Sequence, residues 1–225
     1  MFFFPYQIDI DLKGIPVFTY LICALCIGLF IHQESSYRQF VLSTEGFCQS
    51  NVSTSSQEVF SRLAGTESKG CVRVFTWLRS SVFDDVAETR LKSLTEIIKE
   101  NDWEIEAGRL DAIIKNDYDR FTSTVPADAT SKWMYIPDQW DIQRMFMSSF
   151  THADWEHLLF NLIFFFAFAV SAELVMGPVI FLGTVAISCV TTSMVYSYGA
   201  FGFSNELPTL GLSGVVTSMM TLMAV

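Results

Sequence analysis

The sequence predicts an all-α polytopic membrane protein, and three observations support this fold class. The 225 residues are 51% hydrophobic and include 21 Phe. Apolar stretches of membrane length lie near both ends of the chain, whereas 13 of the 14 Lys and Arg residues lie between residues 33 and 151. From residue 152 onward there is no Lys or Arg. The chain therefore consists of a water-compatible segment flanked by segments suited to lipid.

The first apolar run covers residues 15–31 and follows a short N-terminal tail of residues 1–14. About 20 residues with a rise of 1.5 Å each span the roughly 30 Å hydrocarbon core. We therefore expect a first transmembrane helix over residues 15–32. A signal peptide is the competing interpretation, but no small-x-small cleavage site follows the run, which favours an uncleaved helix.

Residues 33–151 are polar and mixed, and we expect them to form a long extramembrane first loop. Within it, residues 43–56 are rich in Ser and Thr and are expected to be irregular. Cys48 and Cys71 lie in this loop and can form one disulfide if it faces an oxidising compartment.

The same loop contains two stretches in which apolar residues recur at helical spacing, 84–100 and 105–121. Two such helices can fold back on each other, so we predict a helical hairpin over residues 84–121. The chain has a formal net charge of −10. This acidic balance argues against a nucleic-acid partner, which selects for basic surfaces.

A partial membrane core is predicted over residues 152–225. Gly177 and Pro178 interrupt its apolar sequence, because Gly readily ends a helix and Pro cannot continue one. The predicted helices are, in order, about 152–176, 178–198 and 213–225. Residues 214–225 would extend only about 18 Å, short of the roughly 30 Å hydrocarbon thickness. We therefore expect the chain to be a C-terminally incomplete fragment.

Polar residues inside apolar sequence are costly and mark a candidate site. His157 and Asn161 are four residues apart and share one helix face, whereas His152 is five residues before His157 and does not. The spacing of the two histidines is poor for a metal site, so no metal is predicted. The alternative is structural: His157 and Asn161 bond between helices, and His152 lies at the membrane interface.

Ser213 lies between Gly211 and Gly214, which permit close backbone approach and an unusual turn. At a helix N-terminus, unpaired backbone N–H groups would face any developing anion. This pattern suits a nucleophile with a built-in oxyanion donor. It is not the soluble hydrolase elbow, because Val215 stands where the second glycine would be and no strand precedes.

In order and spacing these residues resemble the rhomboid family of intramembrane serine proteases. The matching residues are Arg144, Phe150-Thr151-His152, His157 with Asn161, Glu173 with Gly177, and Gly211-Leu212-Ser213-Gly214. The resemblance covers roughly residues 140–225, and residues 15–31 fit the first core helix of the family. It implies a rhomboid-like bundle of which the first four core helices are present, with a large helical insertion in the first loop.

By this resemblance Ser213 is the nucleophile, while His157, Asn161 and the Ser213 backbone N–H form the oxyanion site. The supporting residues it implies are His152, Gly211, Gly214, Arg144 and Glu173. Arg144 matches the arginine of a Trp-Arg pair in the first loop. Gln143 replaces the tryptophan, and Trp140 lies nearby.

The resemblance also implies a Ser–His dyad whose histidine comes from the sixth helix. That histidine is expected beyond residue 225, so the chain as given is expected to be inactive. The long first loop would lie on the extracytoplasmic side. The implied activity is that of an intramembrane serine endopeptidase cleaving transmembrane or juxtamembrane segments of membrane proteins.

The expected localisation is a multi-pass position in a membrane, either a bacterial inner membrane or a eukaryotic endomembrane or plasma membrane. The expected partners are transmembrane protein substrates and the lipid bilayer, with no nucleic acid and neither a metal nor an organic cofactor. One alternative is a catalytically inactive rhomboid-like protein that binds membrane clients. Another is a channel or transporter, which would carry further intramembrane charges.

Overall fold

A computed structural model describes residues 14–64, 67–79, 90–94, 96, 107–137, 140–200 and 208–223. Regular secondary structure throughout these residues is helical, which confirms the predicted fold class. The helices are, in chain order, α1 (Val17–Ser50), α2 (Thr54–Ala64), α3 (Glu67–Arg79), α4 (Ala107–Thr124), α5 (Ala129–Trp133), α6 (Ile142–Ser148), α7 (Trp155–Met176), α8 (Pro178–Ala200) and α9 (Ser213–Met223). The chain divides into a membrane unit, which comprises residues up to Phe30 and from Met134 onward, and a loop unit, Ile31–Trp133.

Three of these helices, α1, α7 and α8, are long and apolar enough to cross a membrane. Helix α9 is apolar but has only 11 residues. Large apolar side chains such as Leu25, Phe164 and Ile187 are exposed on the three long helices. These faces suit contact with lipid tails, and the protein is an integral multi-pass membrane protein, as predicted.

The predicted break between the second and third apolar segments is present at Gly177. This residue has a φ of 79°, and its N–H donates a hydrogen bond of 2.9 Å to the Glu173 carbonyl oxygen. Pro178 then opens α8, where a missing N–H leaves no hydrogen bond unmade. Helix α8 ends at Ala200, two residues beyond the prediction, and α9 begins at Ser213, as predicted.

Buried side chains from α1, α7, α8 and α9 form the core of the membrane unit. Phe30, Phe165 and Phe181 are among its largest members, and Leu212 and Met219 join them from the last helix and the turn before it. The turn that precedes α9 is therefore anchored in the same core as the transmembrane helices.

The predicted end of the first helix was wrong, because α1 continues to Ser50 without a break and has 34 residues. Residues 43–50, expected to be irregular, are also helical. The reason is a buried face at helical spacing that includes Phe40, Thr44 and Phe47. Along this stretch the Thr44 hydroxyl donates to the Phe40 carbonyl oxygen within the helix, so a hydroxyl-bearing residue does not interrupt it.

The loop unit is a compact helical domain with an aromatic core. Phe47, Phe60, Phe75 and Phe121 are buried there and contact one another in edge-on and stacked pairs. The disulfide that the sequence indicated as possible is present between Cys48 at the end of α1 and Cys71 in α3. This cross-link closes a segment of 23 residues around helix α2.

The hairpin predicted over residues 84–121 is described only in part. Residues 90–94 are helical, and Leu91 and Leu94 are buried in the loop unit. The second helix is α4, which buries Leu110 and Ile114 in the same core. Residues 84–89, 95 and 97–106 lie outside the described residues, so the hairpin stays a prediction. Helices α2 and α3 were not predicted.

A buried carboxylate, Asp117 of α4, joins that helix to the start of α2. One of its oxygens accepts hydrogen bonds from the Ser53 backbone N–H at 3.1 Å and the Ser53 hydroxyl at 2.7 Å. The other accepts from Arg120 at 2.6 Å. Burial by itself raises the pKa of Asp117, but hydrogen bonds from Ser53, Ser56 and Arg120 outweigh it and hold that pKa below its ordinary value.

Because the pKa of Asp117 is lower in the folded state, its contribution to stability is present above its unfolded pKa of about 4 and is lost as the pH falls through the folded pKa. We expect Asp117→Asn to lower the free energy of unfolding of the loop unit by about 1–3 kcal/mol at pH 7. The difference from wild type should shrink toward zero near pH 2. Urea unfolding followed by Trp fluorescence at both pH values measures it.

Asp119→Asn is the matched control, because Asp119 is exposed on the same helix. It should leave the free energy of unfolding within about 0.5 kcal/mol of wild type at both pH values. If Asp117→Asn lowers the free energy of unfolding by the same amount at pH 7 and at pH 2, the ionised Asp117 carboxylate is not the source of the stabilisation.

Candidate active site

Ser213 is the first residue of α9, and its side chain is exposed. The turn before it contains Gly211, whose φ of 113° lies where residues with a Cβ are strained. Leu212, between them, is fully buried and holds the turn in the core. Ser213 therefore lies, as expected, at a helix N-terminus, where backbone N–H groups lack an intrahelical acceptor.

His157 and Asn161 lie one turn apart near the start of α7. Asp154 caps this helix, because its carboxylate accepts a hydrogen bond of 2.7 Å from the His157 backbone N–H. The Asn161 side-chain nitrogen donates 3.0 Å to the His157 carbonyl oxygen. His157 is half-buried and Asn161 is buried, so helix spacing and capping fix both side chains on one face.

These two side chains converge on Gly211. A methyl group placed on Gly211 would lie 2.6 Å from His157 Cε1, 2.7 Å from His157 Nε2 and 3.5 Å from Asn161 Nδ2. The imidazole edge therefore lies directly against the backbone of the turn, two residues before Ser213. The structure thus brings an imidazole and a primary amide from α7 to the approach of the α9 N-terminus.

His152 lies behind His157, in the segment that precedes the membrane-spanning helix α7. It is buried, and its ring meets the His157 ring edge-on at a centroid distance of 5.3 Å. Burial, and after it the neighbouring His157, lower the pKa of His152 to about 4. His152 is therefore neutral at pH 7 and packs against the His157 ring; its supporting role stays a prediction.

Backbone bonds from an earlier part of the chain hold the turn itself. The Gly211 N–H donates 2.8 Å to the Ser148 carbonyl oxygen at the end of α6. Thr209 and Tyr135 exchange two backbone hydrogen bonds, 2.9 and 3.0 Å long, as an isolated antiparallel pair. The segment leading to Ser213 is thus fixed by residues 135–148 as well as by its own helix.

A comparison with known protein families concerns the part of the chain that contains this site. Residues 139–225 match the family model described as the rhomboid domain. This part of the chain is similar to the rhomboid domain. No curated protein and no solved structure matched the chain. The match supports a rhomboid-family protein, which is either an intramembrane protease or an inactive relative.

Arg144 lies in α6. Asp141 caps this helix by accepting from the backbone N–H groups of Gln143 and Arg144, and its carboxylate is 3.6 Å from the guanidinium Nε. Trp140, just before the cap, packs edge-on against Tyr198 of α8 with ring centroids 5.6 Å apart. Trp140 therefore connects the first loop to α8 in the rhomboid domain.

Gly214 lies where α9 crosses α8. A methyl group at this position would lie 2.7 Å from both Cβ and Oγ1 of Thr192. The glycine is therefore required for close packing of the two helices, and it lets the Ser213 end of α9 approach α8. Gly211 thus allows the turn to approach His157, whereas Gly214 allows α9 to pack closely against α8.

Glu173 is not near Ser213. It lies 16 residues after His157 in α7, roughly 24 Å along the helix. One carboxylate oxygen accepts from the Phe18 backbone N–H at 3.0 Å, and the other accepts from the Thr19 backbone N–H and hydroxyl at 2.7 Å each. This buried carboxylate caps the N-terminus of α1 and so joins the first helix to the rhomboid domain.

Two further points complete the site. Within the described part of the chain, no group of three or more His, Cys, Asp or Glu side chains has a metal-binding arrangement. Sequence reasoning missed Ser148 and Tyr135, whose backbone groups hold the turn. No periodicity or motif marks either residue, since both act through main-chain atoms.

Proposed function

We propose that this protein is an intramembrane serine endopeptidase that cleaves transmembrane or juxtamembrane segments of membrane proteins. The observation that carries the proposal is the convergence of His157 and Asn161 on Gly211, two residues before Ser213. A hydroxyl nucleophile beside side-chain and backbone hydrogen-bond donors is the arrangement that acyl transfer requires. Ser213 is also exposed, so a substrate carbonyl can reach it.

In the proposed reaction, Ser213 Oγ attacks the carbonyl carbon of the scissile peptide bond, and its proton passes to a general base. The carbonyl oxygen becomes an oxyanion, which accepts hydrogen bonds from the Ser213 N–H, the Asn161 amide and the His157 imidazole. Collapse of this intermediate releases the amine and leaves an acyl-enzyme that water hydrolyses. Since His157 serves the oxyanion, we assign no base among these 225 residues.

The order of the helices supports placing the donors and the nucleophile together. Helices α7 and α8 cross the membrane one after the other, so α7 and α9 begin on the same side. His157 lies near the start of α7, and Ser213 is the start of α9. The Cys48–Cys71 disulfide is typical of an oxidising compartment, which supports an extracytoplasmic first loop. We propose that water reaches Ser213 from that side.

Fluorophosphonate labelling of the natural full-length protein in membranes tests the nucleophile. We expect wild type to be labelled and to cleave a transmembrane reporter substrate. Ser213→Ala should lose both. Asn161→Ala should retain labelling of Ser213 but reduce the cleavage rate by about 10²–10³-fold, the usual effect of removing one oxyanion donor.

Ser218→Ala is the matched control, because Ser218 lies on the same helix and its hydroxyl bonds the Gly214 carbonyl oxygen. It should cleave the reporter within about twofold of wild type. Labelling that persists after Ser213→Ala would refute the nucleophile assignment. A folded wild-type protein that neither labels nor cleaves would instead identify an inactive relative that binds membrane clients.

A further inference from the structure

The segment that delivers Ser213 is attached to the earlier chain at two points. Thr209 pairs with Tyr135 through two backbone hydrogen bonds, and Gly211 donates to Ser148. In the described residues, the Tyr135–Thr209 pair is an isolated bridge and not part of a longer sheet. A single pair has no neighbouring ladder to hold its register, so the position of Thr209 depends on how firmly Tyr135 is held.

Tyr135 is held by its side chain. The ring is fully buried, and the hydroxyl lies 2.6 Å from the Ser197 hydroxyl oxygen of α8. The Tyr135 hydroxyl also donates to the Pro137 carbonyl oxygen at 3.3 Å. Ser197 in turn bonds the Ser193 carbonyl oxygen within α8 at 3.1 Å. The phenol is thus fixed to a transmembrane helix at the end farthest from its backbone.

We infer that Tyr135 is a positioning residue for the nucleophile, acting through Thr209. This inference rests on the proposed function. Ser197 of helix α8 holds the Tyr135 hydroxyl in place. Because the ring is rigid, a fixed hydroxyl also restricts the position of the Tyr135 backbone. The backbone then sets the place of Thr209, four residues before Ser213. Because small displacements of a reacting group cost large factors in rate, an anchor on this segment affects catalysis without touching substrate.

The choice of tyrosine over phenylalanine follows from the hydroxyl. A phenylalanine would fill the same buried space but would remove the Tyr135–Ser197 hydroxyl contact and leave the Pro137 carbonyl oxygen, 3.3 Å from the Ser197 hydroxyl, as the remaining acceptor on the loop. The contacts of the hydroxyl with Ser197 and with Pro137 would be lost while the packing of the ring stayed intact. The predicted change is therefore a looser Thr209 segment in a folded protein, and not a general loss of structure.

Hydrogen exchange of the 208–213 peptide in the full-length protein tests the anchor directly. In Tyr135→Phe and in Ser197→Ala, we expect the backbone amides of this peptide to exchange about five- to tenfold faster than in wild type. The double variant should exchange less fast than the product of the two single effects predicts, because both changes break the Tyr135–Ser197 bond. The kcat for a reporter substrate should fall by a similar factor, with KM within about twofold.

Tyr198→Phe is the matched control, because Tyr198 is adjacent to Ser197 and the residue is 72% exposed. It should change neither the exchange rate nor kcat. Wild-type exchange in Tyr135→Phe would overturn the inference, and so would faster exchange with an unchanged kcat in an active protein. If the exchange changes but wild type shows no Ser213-dependent cleavage, the anchor exists but the proposed function fails.

Discussion

Replacing Glu173 with alanine is expected to lower the free energy of unfolding of the membrane unit by about 3–5 kcal/mol, the range for breaking a buried charged interaction. Glu173 is buried and accepts three hydrogen bonds from the first turn of α1. Alanine would leave those donors without an acceptor at a site from which water is excluded. The expected loss should lower the melting temperature in detergent by on the order of 10 °C.

The physical reason is the arrangement of helix ends. The first N–H groups of α1 have no partner within their own helix, and the helix dipole adds partial positive charge there. Glu173 supplies a carboxylate to that end from another helix. The N-terminus of α1 thus takes the place of a basic side chain, of which the sequence has none from residue 152 onward.

Glu173→Gln separates the contribution of the carboxylate charge to stability from that of its hydrogen-bond geometry. Glu156→Gln is the control. A glutamine keeps one acceptor oxygen but turns an NH2 group toward the Phe18 or Thr19 donors, so we expect an intermediate loss of stability. Glu156 is exposed in the first turn of α7, and its replacement should cost at most about 1 kcal/mol. Equal melting temperatures for Glu173→Ala and Glu156→Gln would show that the cap contributes little.

The parts of the site that follow from local rules could be predicted from the sequence. His157 and Asn161 share a face because of helix spacing alone, and Gly177 ends α7 because a left-handed residue there favours glycine. Ser213 begins α9 as its flanking glycines suggest. In each case the determining interactions lie within a few residues of the position, so periodicity and turn preferences were sufficient.

The length of α1 could not be predicted in the same way. The face that buries Phe40, Thr44 and Phe47 also includes the polar Gln33, so hydrophobic periodicity is weak there. The helix is stabilised by packing against the aromatic core of the loop unit, which comes from residues much later in the chain. Such tertiary contacts override a Ser- and Thr-rich composition, and composition alone indicated a loop.

The role of Glu173 and the anchor at Tyr135 also depend on distant partners. The family resemblance marked Glu173 but assigned it no contact, and the structure connects it to Thr19. Tyr135 pairs with Thr209 through main-chain atoms, which leave no residue-type signature. The sequence therefore indicated candidate chemical groups, whereas the residues that hold them in place became visible only with the fold.

The second large effect is expected for Gly211→Ala, which should reduce the rate of Ser213-dependent cleavage by at least about 10²-fold. The new methyl group would lie 2.6 Å from His157 Cε1, closer than real contacts allow. The φ of 113° adds backbone strain of about 1–3 kcal/mol for any residue with a Cβ. Either His157 moves away from the turn or the turn moves, and both outcomes separate the oxyanion donors from Ser213.

Gly183→Ala provides the contrast, because a methyl group at Gly183 meets nothing within 4 Å and the residue is exposed in α8. Alanine there should retain wild-type cleavage and stabilise the helix by about 0.5–1 kcal/mol. The measurements are reporter cleavage, fluorophosphonate labelling and melting temperature for both variants. Because the clash at Gly211 is with a proposed oxyanion donor, the loss of cleavage rate should far exceed the loss that the lower melting temperature explains. A Gly211→Ala protein that cleaves like Gly183→Ala would show that His157 need not lie against the turn for Ser213 to react.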